Sequence, residues 1–223
     1  MKTGQKEADM RQKLVIPNPD SLLQTSREDI KHYYYSPFWP VRYMYRKRLM
    51  LGLDALEDKK YENLLELGTG GGFLLYSLTK IAKKIVASDI HPMLKKVEKN
   101  LRKDGIKNVT FTKFDINKVP FKNETFDAVV SMSVLEHIRT LSRAVSEIKR
   151  VVKKNGTVVI GIPADNLIMK VGFFLIGAGE DVKHHHCNTH KDIIEELQRQ
   201  FTVKKIKRFP YFFTMYYIIT CEK

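Results

Sequence analysis

Asn63-Leu64-Leu65-Glu66-Leu67-Gly68-Thr69-Gly70-Gly71-Gly72-Phe73 decides how this chain is read. An apolar run ends in a carboxylate, a glycine-rich turn follows at once, and a second apolar run begins at Phe73. That is the strand–turn–helix layout that receives an adenosine-containing ligand at the carboxyl edge of a parallel sheet. The glycine spacing narrows the ligand. A dinucleotide fingerprint needs Gly-x-Gly-x-x-Gly, but counting from Gly68 and Gly70 the third position is Phe73, and from Gly70 and Gly72 it is Leu75. The pattern present is Glu-x-Gly-x-Gly-x-Gly.

Outward from this turn the chain alternates. Leu64–Leu67, Ile85–Ser88, Val109–Phe114, Phe126–Met132 and Thr157–Ile162 read as short apolar strands. Gly72–Ala82, a segment opened by Pro92 and running to Lys103, and Leu141–Val152 read as the intervening helices. Such βαβα alternation predicts a parallel sheet covered on both faces. Thr189 with Asp192 three positions on forms a capping-box pattern for a helix to Gln200. Phe201–Arg208 and Thr214–Cys221 read as an antiparallel pair around Phe209-Pro210-Tyr211. Toward the amino terminus, residues 1–25 read as a loose polar leader. Ser26 and Asp29 suit a first helix cap, and Pro40 opens a helix carrying Met44, Leu49, Leu53 and Leu56. Between them lies the aromatic run from Tyr33 to Pro40.

Composition bounds the class. In 223 residues, 43% are hydrophobic and 29% charged, the balance of a globular α/β domain with a core of its own. No uninterrupted apolar run approaches a membrane span, and residues 1–13 lack a signal-type apolar stretch, so a cytoplasmic protein is expected. The two cysteines, Cys187 and Cys221, make no metal or disulfide pattern. The net charge of +14 is spread over many segments, which reads first as solvated helix faces and second as an acidic partner.

Four strand ends place chemistry in the right order for one ligand. The carboxylate and glycines from Glu66 to Gly72 permit close backbone approach. Asp89, about 20 residues after the turn, suits a ribose diol. Asp115 ends the third strand, where a side-chain acceptor meets an adenine amino group. Ser131 ends the fourth, with Glu136 and His137 just beyond it. Six segments in order resemble the class I S-adenosylmethionine-dependent methyltransferases. Glu66–Gly72 resembles their motif I. Ala87–Leu94 is similar to the second-strand motif, Phe114–Phe121 to the adenine-contact motif, Phe126–Ser131 to the fourth strand, and Val134–Ile138 to the turn after it. Arg150–Gly156 is similar to the element before strand five, with Asn155 departing from its usual turn chemistry. The resemblance spans Asn63 to Pro163 and is nearest to the small-molecule and lipid-type group with a Leu-Glu-His signature.

The resemblance implies a Rossmann-like, seven-stranded, mostly parallel sheet with a carboxy-terminal antiparallel hairpin. It implies S-adenosylmethionine as cofactor, held by Glu66, Gly68, Thr69, Gly70, Gly72, Asp89, Ile90, Asp115, Ile116 and Ser131. Residues 1–57 are then a leader and helical lid, residues 58–223 the cofactor-binding domain, and residues 164–190 a substrate-side insertion. The implied reaction is in-line methyl transfer to a small-molecule or lipid-like acceptor, with His137, His185 and His186 as candidate bases. No metal is expected, since three adjacent histidines, His184 to His186, cannot converge on one ion, and His186 with His190 could do so only within a helix. The run from Tyr33 to Tyr45 reads as core packing, as a lid, or with Arg42, Arg46, Lys47 and Arg48 as a surface for an anionic membrane. An RNA or protein acceptor is the alternative; the basic charge motivates it, and the absence of an Asn-Pro-Pro-Tyr-type motif after strand four weighs against it. A non-catalytic binding protein would not need both carboxylates and the glycines intact.

Overall fold

A computed structural model describes residues 14–17, 33–57, 59–166 and 186–223. The helix cap expected at Ser26, the apolar segment after Asn166 and the histidines His184 and His185 lie outside these residues. The described elements are α1 (Trp39–Ala55), β1 (Tyr61–Leu67), α2 (Leu75–Leu78), β2 (Ala82–Ser88), α3 (Leu94–Lys103), β3 (Val109–Thr112), β4 (Phe126–Met132), α4 (Leu141–Val151), β5 (Val152–Pro163), α5 (His190–Gln200), β6 (Thr202–Phe209) and β7 (Tyr216–Glu222).

The strands form one seven-stranded sheet in the order β3-β2-β1-β4-β5-β7-β6. β1 to β5 are parallel, and β7 runs antiparallel between β5 and β6. The expected fold class is therefore the observed one. Strand order reverses direction between β1 and β4, which opens a crevice outside their carboxyl ends. The register aligns three of those ends, since Leu67 pairs with both Ser88 and Ser131.

Two apolar layers hold the sheet. One gathers Leu49 and Leu53 of α1 with Leu64, Leu75, Ile85, Val97 and Val130; the other gathers Leu65, Val129, Val145, Ile148, Ile160, Ile193 and Leu197. Asp127 fastens the start of β4, accepting from the Asn63 amide at 2.7 Å and from Lys153 at 2.6 Å. The capping box at Thr189 and Asp192 forms as its spacing requires.

Two local expectations change. The helix after the glycine turn is a single turn, Leu75–Leu78: positive φ at Gly72 delays its entry, and β2 already begins at Ala82. Residues 14–17 of the expected loose leader pack on the core: Leu14 and Val15 touch the first layer, and the Val15 amide donates to Ser77 Oγ at 2.8 Å.

Candidate active site

The turn between β1 and α2 is shaped by what its glycines avoid. At Gly68 φ is +77°, and a Cβ there would stand 2.1 Å from Val134 Cγ2. At Gly72 φ is +78°, and a Cβ would stand 2.5 Å from Val97 Cγ1. At Gly70 φ is +53° and nothing lies within 4 Å of the missing Cβ. The first and third glycines thus let the turn press on its neighbours, while Gly70 presents bare backbone to the crevice. Phe73, which removes the dinucleotide reading, is buried and stacks on Tyr34 with ring centroids 3.9 Å apart.

Glu66 ends β1 at 4% exposure. Its Oε2 accepts from Thr69 Oγ1 at 2.9 Å. Burial pushes its carboxyl up to about 8; the Thr69 bond opposes the shift and the Asp89 charge adds to it. Asp89, beyond β2, accepts from the Gly70 amide at 2.6 Å through Oδ2 and from the His91 amide at 2.9 Å through Oδ1. Each oxygen keeps a lone pair for another donor. The carboxylate is thus locked to the glycine turn with capacity to spare, the geometry a vicinal diol requires.

The other expected contacts divide. Ile90 is 68% exposed beside Asp89, free to cover a flat ring, and Ile116 is buried. Asp115 is exposed, and its Oδ1 accepts from both Asn117 nitrogens at 2.9 Å, an Asx turn that leaves Oδ2 for a ligand. Ser131 is buried at the end of β4.

Sequence reasoning grouped Arg48 with the cations of a membrane-facing surface, but the structure turns it inward among aromatic rings. Its guanidinium lies 4.5 Å from the Tyr45 ring centroid and 5.5–5.6 Å from those of Tyr34 and Tyr216. It donates to Tyr34 Oη at 2.7 Å and to Ser133 Oγ at 3.4 Å, and Ser133 Oγ shares a 2.8 Å bond with Tyr216 Oη. Among the described residues, the buried side-chain polar atoms without a hydrogen-bond partner are Arg48 Nε, Ser131 Oγ and Glu136 Oε2. All three belong to residues at the end of β4 or packed against it. Unpaired buried polar atoms are rare, and these three gather around one strand end. Ser133 itself has φ +59°, a strained conformation of the kind that gathers at functional sites.

Beyond β4, Leu135–His137 form one 3-10 turn with Glu136 at 2% exposure. Burial pushes the Glu136 carboxyl up to about 8 against the pull of its own amide and of Arg48. His186 reaches this turn, its ring 4.9 Å from that of His137, edge to face. His190 goes elsewhere: it heads α5 and stacks on Tyr217, so the helical His186–His190 pair does not form. The expectation of no metal ligand set meets a different grouping, Glu136, His137 and His186, with one ligand atom of each within 4.8 Å of the others.

Residues 65–160 match a methyltransferase domain family. The ubiquinone biosynthesis O-methyltransferase of Mesorhizobium japonicum is 25% identical over 69% of this chain and 64% of its own. The phosphatidylethanolamine N-methyltransferase of Cereibacter sphaeroides is 33% identical over 44% of this chain and 48% of its own. The chain spans about half the length of the curated relatives it matches, 52% and 39% for two others. In fold it superposes on an S-adenosylmethionine-dependent methyltransferase of Aquifex aeolicus at TM-score 0.63, with 19% identity, covering 92% of this chain and 98% of that one. A geranyl diphosphate methyltransferase in complex with S-adenosylmethionine superposes at 0.64, with 13% identity, over 79% of this chain and 84% of that one.

Proposed function

We propose, on the premise that residues 65–160 form a class I methyltransferase domain, that this chain transfers the methyl group of S-adenosylmethionine to a small-molecule or lipid-like acceptor. The observation that carries the reading is Asp89, held to the bare backbone of Gly70 and still able to accept two hydroxyls. Asp89 takes the ribose diol, Ile90 and Ile116 flank the adenine, and Asp115 receives its amino group. Glu66, Ser131 and the amides of Gly68 to Gly72 hold the methionine portion, whose ammonium suits the Glu66 carboxylate.

The acceptor's lone pair attacks the methyl carbon in line with the C–S bond, whose electrons leave with sulfur. The sulfonium is already a good leaving group, so alignment of the two reactants supplies most of the acceleration. A base is needed only where the acceptor carries a proton of high pKa, and His137 and His186 are the described candidates. Calorimetry with S-adenosylmethionine tests the reading. One site per chain is expected, weakened at least tenfold in Asp89→Ala, and a wild-type protein that does not bind overturns it.

A lipid-like acceptor is favoured by one surface. Phe38, Trp39, Tyr43, Tyr211, Phe212 and Phe213 are all exposed, and the contact of Tyr43 with Phe209 at 6.0 Å joins their two segments. Arg42, Lys47, Lys205 and Arg208 are close in sequence to this patch. Aromatic side chains among cations suit an anionic membrane surface where such acceptors are met.

A further inference from the structure

We propose that Glu136, His137 and His186 form a site for one divalent transition-metal ion at the acceptor end of the crevice. The proposal extends the reading of a methyltransferase site, because it specifies the acceptor that site takes.

The grouping is built by the fold. Glu136 and His137 sit in the 3-10 turn after β4, and His186 is 49 positions further on. Four hydrogen bonds stitch the two segments together. The amides of Cys187 and Asn188 donate to the Glu136 carbonyl at 2.7 and 3.2 Å. The Asn188 side-chain amide donates to the carbonyls of Leu135 and Ile138 at 2.8 and 2.7 Å. Asn188 thus grips the turn from both ends and delivers His186 beside it. The carboxylate is 2% exposed and its Oε2 has no hydrogen-bond partner. Such an atom is costly to bury unless it meets a cation or a donor.

The spacing suits an ion. Glu136 Oε1 is 4.0 Å from His137 Nε2, and one donor atom from each of the three residues fits within a 4.8 Å separation. Metal bonds of about 2.0–2.2 Å hold neighbouring ligand atoms roughly 3–4 Å apart. The two imidazoles are exposed, so small side-chain rotations close the gap. Two imidazoles and one carboxylate select manganese, iron, cobalt or zinc over magnesium or calcium. Three protein ligands with an exposed side leave coordination positions open for a substrate.

Charge then selects the acceptor. A dication with Glu136 and the nearby Arg48 leaves an excess of positive charge at the strand end. An acceptor that brings a chelating, ionisable oxygen neutralises it: a phenol or enol with a neighbouring oxygen. Metal coordination lowers the pKa of that hydroxyl, which releases its proton to water on binding. The resulting oxygen forms the new C–O bond as the C–S bond breaks toward sulfur. The product is a methyl ether.

Titration of the metal-free full chain with Co2+, read by visible absorption and calorimetry, tests the site without any methyl donor or acceptor. One ion per chain is expected, with affinity reduced at least tenfold in Glu136→Gln, His137→Gln and His186→Ala and unchanged in His190→Ala. Thermal melting establishes that each variant is folded. No Co2+ binding overturns the proposal. So does binding that survives Glu136→Gln and His137→Gln but is lost in a His184→Ala/His185→Ala double variant, which would place the ion on the histidine run alone. S-adenosylmethionine calorimetry on the same samples reads the donor site independently, so failure of one does not resemble failure of the other.

Discussion

Glu66 carries the titration of greatest consequence for the proposed cofactor contact. Its carboxyl holds a pKa of about 8 in the folded chain against an ordinary 4.5. The folded state therefore binds the proton more tightly than the unfolded one. The stabilisation this provides is complete below pH 4.5 and is lost as the pH rises from there through 8. A cofactor ammonium against Glu66 favours the carboxylate instead, so binding near pH 7 releases about one proton that the residue would otherwise keep. Calorimetry in buffers of different ionisation enthalpy measures that release. Glu66→Gln is expected to abolish it and to weaken the cofactor by roughly 10- to 100-fold, the range for a hydrogen bond to a charged group. Equal proton release by both proteins would remove Glu66 from the methionine end. Asp89 is anchored by the amides of Gly70 and His91.

At the level of elements, the glycine turn and the 3-10 turn after β4 support each other. Val134 Cγ2 occupies the space that a Cβ at Gly68 would enter, and the left-handed φ adds strain of its own. Gly68→Ala is expected to cost roughly 3 kcal/mol, combining overpacking with backbone strain. Val134→Ala in the same chain should recover the steric part but leave the backbone part. Denaturant unfolding of the two single variants and the double variant measures this coupling, and simple additivity would mean the turns do not bear on each other. Asn188 is a second such joint. Asn188→Ala leaves the Leu135 and Ile138 carbonyls without that donor, and a loss of about 1–3 kcal/mol is expected. A melting temperature equal to that of the wild type would show that the segment before α5 is not held to the turn.

For the whole molecule, the open question is what meets its exposed aromatic surface and its charge of +14. Phe212 is 94% exposed and Trp39 66%, large apolar side chains left facing solvent. Among the described residues no helix is long and apolar enough to cross a membrane. The surface contact proposed for the patch is tested on vesicles. Co-sedimentation with vesicles containing phosphatidylglycerol is expected to recover the protein at low salt. Trp39→Glu/Phe212→Glu should lower the bound fraction at least tenfold while S-adenosylmethionine affinity stays unchanged. Equal recovery with neutral vesicles would assign the attraction to the rings alone, and no recovery with either would end the membrane reading. Steeply salt-dependent RNA binding would point the basic charge to a different partner.

The sequence by itself determined the sheet and the crevice, and it put the candidate donor-side residues at strand ends. The periodicity of short apolar strands, Phe73 where a dinucleotide fingerprint would have its last glycine, and the carboxylates Glu66, Asp89 and Asp115 at strand ends are local signals that survive folding. A parallel strand order then carries them to one edge. Only the tertiary structure decided the acceptor side. Arg48 is one cation among many in a basic helix, and nothing in its neighbours says that three tyrosines will enclose it. His186 belongs to a histidine run that read as metal-free, yet Asn188 brings it to Glu136 and His137 from a distant part of the chain. The physical reason is one of range. Backbone propensity and alternation are set by near neighbours, whereas burial of a charge, an unpaired polar atom or a converging ligand set exists only once distant segments have packed.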